Sequence, residues 1–445
     1  MSQYTFPDSG TVEPIDYLPD PFLRADGSRV TDPADWPEQR EYLKQMLAHY
    51  FYGTQPEYIN DTVGEIREQR LIFDGQAIEE ELTIYFGPKR RYSFPARIVR
   101  PNLPGKFPIV TYNRTQRRPY IFLHQTVVER QYVLAEFDKE DLAADSPRFY
   151  ESLLHKDHPE CTWGAIALWS WGHRRLADYV LTQDYCHPEQ LIATGHSRGG
   201  KIALCTAIYD ERFAVAAPSG SGCGGAGCLR YLGTRLGKNI GFVETIGLMM
   251  ALVPYWCTPL FAEFGRKYPH FYEDRVYEYA LRHPEIPRLH REMHLPFDLH
   301  TAKALVAPRA LISVEGLSDD WANPYGTQVT WRAADEVFQF LGAYGKNALH
   351  FRTGPHDYNT YDVTAILDFC DALFFGKPFN RELIRIPTPK EQQVSYAAYP
   401  ANSPEAAFLR DRMEVSYQKF HFDWSQPQRR TPRGAQTVAE HTKVY

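Results

Sequence analysis

A serine enclosed by glycines, between an apolar strand and an apolar helix, constrains this chain more than any other feature. The segment Gly195-His196-Ser197-Arg198-Gly199 fits the pattern G-x-S-x-G of a nucleophile elbow. The run 190–194 before it predicts a short buried strand, and 200–209 after it predicts a helix. Such a tight turn needs small residues around the serine, and it exposes the hydroxyl at the end of the sheet. The context therefore predicts Ser197 as a nucleophile.

Strand-like and helix-like segments alternate along most of the chain, which is typical of a parallel sheet covered by helices on both faces. Together with the elbow, this alternation predicts an α/β-hydrolase fold with a mostly parallel central sheet and a lid-like insertion. The predicted helices span residues 36–52, 165–181, 200–209, 328–344 and 364–375. The predicted strands begin at residue 78 and span 81–86, 96–99, 108–112, 132–137, 190–194, 213–217, 309–314 and 348–352.

The patterns also predict how the chain is divided. Residues 1–60, rich in Pro and aromatic side chains, are expected to form an N-terminal extension that packs on the body. Residues 61–378 form the hydrolase domain, and the Gly-rich and then aromatic-rich segment of about 219–305 interrupts it as an insertion. Residues 379–445 are polar and are expected to wrap the body as a C-terminal tail.

Charge and hydropathy exclude several classes of function. A net charge of −6 argues against a nucleic-acid partner, and no apolar run approaches the roughly 20 residues of a membrane span. The N-terminus shows no secretion signal, so we expect a cytoplasmic protein. Seven scattered cysteines suit reduced thiols, and the close pair Cys223 and Cys228 lacks histidine partners, so we expect neither a metal nor a cofactor.

A serine nucleophile needs a histidine base and an acid, which follow it in the order Ser, acid, His on this fold. His356 follows the last predicted strand on a turn and is the candidate base, whereas His350 lies inside that strand. The loop after strand 309–314 offers the acid. Asp319 is favoured, with Asp320 second and Glu315 third.

The tetrahedral intermediate needs hydrogen-bond donors for its oxyanion. One is the N–H of Arg198, and a second is expected from the loop 113–116, where Asn113 is the candidate substrate contact. The guanidinium of Arg198 either stabilises the oxyanion as well or pairs with an acid on the lid. His196 is expected to be structural, because its side chain should point away from that of Ser197.

These residues resemble a known family. The elbow Gly195–Lys201 is similar to the G-C/H-S-R-x-G-K elbow of the glucuronoyl esterases, carbohydrate esterase family fifteen. That family has an α/β-hydrolase fold and cleaves esters that join glucuronic acid on xylan to lignin alcohols. Further similar segments, which together cover about residues 105–375, are Trp169–Gly172, Asp210–Phe213, Leu295–Asp298, Ala307–Arg309 and Asp319–Pro324.

The resemblance implies roles for particular residues. Ser197 would be the nucleophile, His356 the base and Arg198 an oxyanion stabiliser. Lys201 would hydrogen-bond sugar hydroxyls, and Trp321 would lie against the sugar.

Three departures separate the chain from fungal members. Those members carry P-Q-E-S-G with the catalytic Glu, where this chain has Pro218–Gly222 without Gln or Glu, so the acid must come from elsewhere. Some bacterial members place it where Asp319 stands. The loss also removes two sugar contacts, which leaves the uronate specificity open. As a second departure, His196 replaces a Cys that fungal members use in a disulfide. As a third, those enzymes are typically secreted, whereas this chain shows no secretion signal.

The resulting hypothesis is a serine carboxylesterase that acts on a small, sugar-derived ester. Alternatives on the same scaffold are a deacetylase of acetylated saccharides and a peptidase. A third alternative, from a different class, is a non-catalytic binding protein on an inactive hydrolase scaffold.

Overall fold

The part of the chain that the structure describes is organised around a nine-stranded sheet, whose strands, named in chain order, lie side by side as β1-β2-β3-β5-β4-β6-β7-β8-β9. The computed structural model describes residues 4–8, 11–13, 18–114, 121–230, 244–267 and 291–378. The first three strands run antiparallel, and β5, β4, β6, β7, β8 and β9 are parallel to one another. The strands are β1 Val63–Ile72, β2 Ala77–Phe86, β3 Tyr92–Pro101, β4 Phe107–Arg114, β5 Val133–Asp138, β6 Cys186–His196, β7 Phe213–Ser219, β8 Ala310–Gly316 and β9 Asn347–Arg352.

Helices cover both faces of the sheet, as the alternating pattern predicted. The helices are α1 Trp36–Leu47, α2 Ile121–Glu129, α3 Leu153–Lys156, α4 Ala165–Val180, α5 Arg198–Tyr209, α6 Ile246–Leu252, α7 Pro259–Lys267, α8 Leu299–Ala304, α9 Pro324–Phe340 and α10 Thr360–Phe375. On one face of the sheet lie α1 and α4 with α5, α8 and α9, and on the other face α2 packs against α10. None of the helices in the described ranges has both the length and the apolar character needed to cross a bilayer.

The edge strand β1 was not predicted from the sequence. Its side chains are mostly exposed, and charged residues lie on both of its faces. Without alternation of apolar and polar residues there is no period-2 signal, because β1 only extends the sheet through its pairing with β2. The helix predicted over 36–52 is in fact α1 followed by one wider turn, Ala48–Tyr52, which ends at Gly53.

The described residues before position 60 contribute to the core on the α1 face of the sheet. Leu18, Phe22 and Val30 are buried in the core on the α1 face. Arg40 donates to the carbonyl oxygens of Leu305 and Ile208, so α1 is tied to the ends of α8 and α5. The tail 379–445 and parts of the insertion, residues 231–243 and 268–290, lie outside the described residues.

Candidate active site

The elbow has the strained geometry that its sequence predicts. Ser197 adopts φ +58° and ψ −124°, a conformation that is unusual for a residue with a side chain. A Cβ at Gly195 would lie 2.5 Å from the backbone of Gly199, and one at Gly200 would lie 2.8 Å from the Cβ of Ser221. Glycine is therefore required at both positions by close packing. The turn leaves the serine half-buried at the carboxyl end of β6.

The predicted base and the favoured acid are brought together. Nδ1 of His356 lies 2.6 Å from Oδ2 of Asp319, within the range that we expected for a triad. The other oxygen of Asp319 accepts the N–H of Ala322 at 3.1 Å, which fixes the orientation of the carboxylate. Asp319 is buried, whereas about one third of the His356 side chain is exposed, so the ring is open to a substrate.

The two other acids considered have different surroundings. Glu315 is buried on β8, where it accepts a hydrogen bond from the hydroxyl of Thr327 at 3.0 Å. Burial, and next the nearby charge of Asp319, raise the pKa of Glu315 well above its usual range. Neither Glu315 nor Asp320 is hydrogen-bonded to His356 among the described residues, so the acid of this pair is Asp319.

The hydroxyl of Ser197 makes no hydrogen bond within the described part of the chain. In resting hydrolases the contact between nucleophile and base is often long and tightens only when substrate is bound. Before substrate binds, two parts of the site are already in place. These are the hydrogen bond between His356 and Asp319 and the strained backbone of Ser197.

His196 packs behind the base. Its ring centroid lies 4.5 Å from that of His356, and its Nδ1 lies 3.3 Å from the hydroxyl oxygen of Ser219. Burial, and next the charges of His356 and Arg352, lower the pKa of His196 to about 3, so the ring stays neutral. These contacts fit the structural role that was expected. They also give it a location, against the ring of His356.

Arg198 forms an ion pair, but its partner is not on the lid. Its guanidinium donates to the buried carboxylate of Asp145, which comes from the acidic loop after β5. Asp145 also accepts from Tyr255 at 2.9 Å and from the indole of Trp256 at 3.0 Å. The guanidinium carbon of Arg198 lies 5.1 Å from the centre of the Trp256 ring. Of the two alternatives for this guanidinium, the ion pair is present, but its carboxylate comes from the body of the protein, and the insertion supplies only the neutral partners Tyr255 and Trp256.

The ammonium group of Lys201 lies in a buried pair. Its Nζ donates to Oε2 of Glu244 and to the carbonyl oxygen of Ser221, each at 2.6 Å. The N–H of Glu244 in turn donates to the carbonyl oxygen of Trp321 at 3.1 Å. Burial raises the pKa of Glu244 against the opposing charge of Lys201. Lys201 is thus already paired, and any sugar contact would be shared with Glu244.

Two residues of this site were missed from the sequence. Asp145 lies in the loop after β5, where several acidic residues are close together, and nothing near Glu244 in the chain indicates that it reaches Lys201. Both are brought to the site by segments far from the elbow in sequence.

The remaining predicted contacts have different degrees of access. Trp321 is half-buried beside Glu244. Asn113 is completely buried at the end of β4, and its carboxamide has no hydrogen-bond partner among the described residues. Residues 115 and 116, which were expected to continue the oxyanion loop, lie outside the described ranges.

Comparison with known families and sequences gives one consistent result. The family model described as "Glucuronyl esterase, fungi" matches residues 87–284 and 276–342. The chain is 25% identical over 418 residues to carbohydrate esterase MZ0003 from an unknown prokaryotic organism, covering 80% of this chain and 89% of that protein. It is 26% identical over 336 residues to a 4-O-methyl-glucuronoyl methylesterase of Neurospora crassa, covering 74% of each.

Solved structures agree in fold. A carbohydrate esterase family 15 glucuronoyl esterase from Caldicellulosiruptor kristjansonii superposes with a TM-score of 0.65 at 24% identity, covering 85% of this chain and 95% of that one. A mutant glucuronoyl esterase from Sporotrichum thermophile, in complex with methyl 4-O-methyl-β-D-glucopyranuronate, gives 0.61 at 20% identity, covering 87% and 96%. At this level of identity the superpositions show the α/β-hydrolase fold.

Proposed function

The chain belongs to the glucuronoyl esterase family, and on that premise we propose that it hydrolyses a carboxylic ester of a uronic acid through an acyl-enzyme on Ser197. The observation that carries the proposal is the contact of 2.6 Å between His356 and Asp319, beside an elbow with Ser197 at positive φ. A binding protein would have no need to keep both a strained serine and a paired histidine.

The reaction runs in two halves. In the first, Nε2 of His356 takes the proton of the Ser197 hydroxyl while Oγ attacks the ester carbonyl carbon. Asp319 holds the proton on Nδ1 and stabilises the imidazolium that forms. The intermediate collapses, the C–O bond to the alcohol breaks, and the proton passes from His356 to that alcohol. In the second half, water attacks the acyl-enzyme with the same proton transfers, releasing the uronic acid and restoring Ser197.

The negative charge of the intermediate is stabilised at the start of α5. The amide of Arg198 is the first of that helix and has no acceptor within it. The side chain of the same residue is 40% exposed and its guanidinium is held by Asp145, so a positive charge is fixed on the residue that follows the nucleophile. A charged donor that is oriented before the reaction needs little reorganisation as the oxyanion forms.

A sugar acid is favoured by the polar groups beside the elbow. Lys201 and Glu244 supply a donor and an acceptor within one buried pair, and adjacent sugar hydroxyls present the complementary groups. Trp321 is half-buried next to Glu244 and offers an aromatic surface for a sugar ring. This arrangement supports a uronate ester over a simple aliphatic ester.

The test is a matched panel of substrates with the wild-type enzyme and Ser197→Ala. We expect turnover of methyl and benzyl glucuronate, with weaker activity on p-nitrophenyl acetate and on acetylated xylose. Activity on the acetylated sugar alone would favour the deacetylase alternative. Cleavage of peptide substrates alone would favour the peptidase.

A fluorophosphonate probe tests the class of protein separately from its substrate. It should label Ser197 in the wild-type chain, which peptide mapping would locate, and it should not label Ser197→Ala. If Ser197 stays unlabelled in folded wild-type protein and every ester is stable, the chain is a binding protein and the proposal fails.

A further inference from the structure

Arg352 lies at the end of β9, four positions before His356, and its guanidinium is turned back under the loop that carries this base. Nη1 donates to the carbonyl oxygens of Thr353 at 3.3 Å and Pro355 at 3.2 Å. Nη2 donates to the carbonyl oxygens of Pro355 and Asp357. Carbonyl groups of residues before and after His356 are thus held by one side chain.

The guanidinium itself is held by a buried acid. Nε of Arg352 lies 2.9 Å from each oxygen of Asp362, a fully buried residue in the first turn of α10. Asp362 also accepts the N–H of Asn359 at 3.0 Å as part of the cap of that helix. The position of the arginine is therefore set by α10, which packs on the sheet.

The same residue joins the loop of the base to the loop of the acid. The carbonyl oxygen of Arg352 accepts the N–H of Leu317 at 2.8 Å, and that of Gly354 accepts the N–H of Ser318 at 3.0 Å. A Cβ at Gly316 would lie 2.7 Å from the carbonyl oxygens of Gly354 and Pro355 and 3.1 Å from Nη1 of Arg352. The two loops are packed directly on each other around the guanidinium.

From these contacts we propose that Arg352 is a positioning residue for catalysis, which holds the His356 loop so that the ring stays on Asp319 during turnover. It does not touch the substrate. A base on an exposed turn would otherwise sample many orientations, and small displacements of a catalytic group cost large factors in rate. The planar fork of arginine reaches several carbonyls at once, which the single ammonium of lysine cannot do.

The test compares Arg352→Lys with Arg309→Lys. Arg309 precedes β8 at the opposite end of the sheet, and it also donates to three backbone carbonyls, those of Ala207, Asp210 and Phe213. Both variants lose a carbonyl-binding guanidinium and keep the charge. We expect Arg352→Lys to lower kcat on the order of 10²-fold with little change in KM. We expect the two variants to lower Tm by similar amounts, but Arg309→Lys should leave kcat unchanged.

The inference rests on the proposed function, so a second readout is independent of the substrate. The rate of fluorophosphonate labelling of Ser197 depends on the base and should fall in Arg352→Lys but not in Arg309→Lys, even if no uronate ester is cleaved. Should Arg352→Lys not fold, Asp362→Asn takes its place and should lower kcat and the labelling rate without raising KM. The proposal is overturned if the folded variant, Arg352→Lys or its replacement Asp362→Asn, has the same kcat and the same labelling rate as wild type and Arg309→Lys.

Discussion

The carboxylate of Asp319 is 2.6 Å from Nδ1 of His356, although the two residues lie 37 positions apart on loops after different strands. Because β8 and β9 are parallel neighbours, both loops emerge at the same edge of the sheet. The backbone hydrogen bonds from Leu317 and Ser318 to the loop of His356 then set the distance between them.

The acid is tested by Asp319→Asn. The amide cannot hold the tautomer of His356 or stabilise its imidazolium, so kcat should fall by about 10⁴-fold. Glu315→Gln is the control, because Glu315 contacts Thr327 and its raised pKa favours the neutral form that glutamine imitates. Steady-state kinetics on benzyl glucuronate decide. Similar losses in both variants would contradict the assignment of Asp319.

Arg198 is tested by its removal. If its guanidinium faces the developing oxyanion, Arg198→Ala should lower kcat by roughly 10²–10³-fold with little change in KM. Asp145→Asn should lower kcat less, since it keeps the guanidinium and removes only its anionic anchor. A rise confined to KM in Arg198→Ala would instead assign this arginine to substrate binding.

The role of the buried Lys201–Glu244 pair in sugar recognition is tested by comparing two substrates. Glu244→Gln should raise KM for methyl glucuronate and leave the kinetics on p-nitrophenyl acetate nearly unchanged, because only the sugar ester has ring hydroxyls to bind. Glu263→Gln, on the exposed side of α7 in the same insertion, is the matched control and should behave as wild type. Equal effects of Glu244→Gln on both esters would contradict a role in sugar recognition.

The space behind His356 and Asp319 is tested at Gly220, which has φ +49°. A Cβ there would lie 3.0 Å from Cε1 of His196 and 3.4 Å from Oδ2 of Asp319. Gly345→Ala is the control, because Gly345 also has positive φ but has no atom within 4 Å of an added Cβ.

Gly345→Ala should cost about 1–2 kcal/mol of unfolding free energy from its backbone alone. Gly220→Ala should cost more and also lower kcat, since His196 or Asp319 must move. Denaturant unfolding and kinetics measure both effects. Identical losses in the two variants, with kcat intact, would show that the space behind His356 and Asp319 tolerates a methyl group.

Sequence alone determined the parts of this protein that are encoded by neighbouring residues. The glycines around Ser197, the strand before it and the helix after it are adjacent in the chain, so the elbow and the parallel sheet could be predicted from local patterns. The order of nucleophile, acid and base follows from the order of the strands. For the same reason the strand β1, whose residues carry no apolar alternation, escaped prediction.

Tertiary structure decided what depends on distance between remote segments. The choice of Asp319 over Asp320 and Glu315 required knowing which carboxylate the loop turns toward His356. The partners of Arg198 and Lys201, Asp145 and Glu244, come from segments more than 40 positions away, and no local pattern encodes such pairing. Buried charges must find opposite charges somewhere in the fold, but only the packing of the whole chain determines which ones they meet.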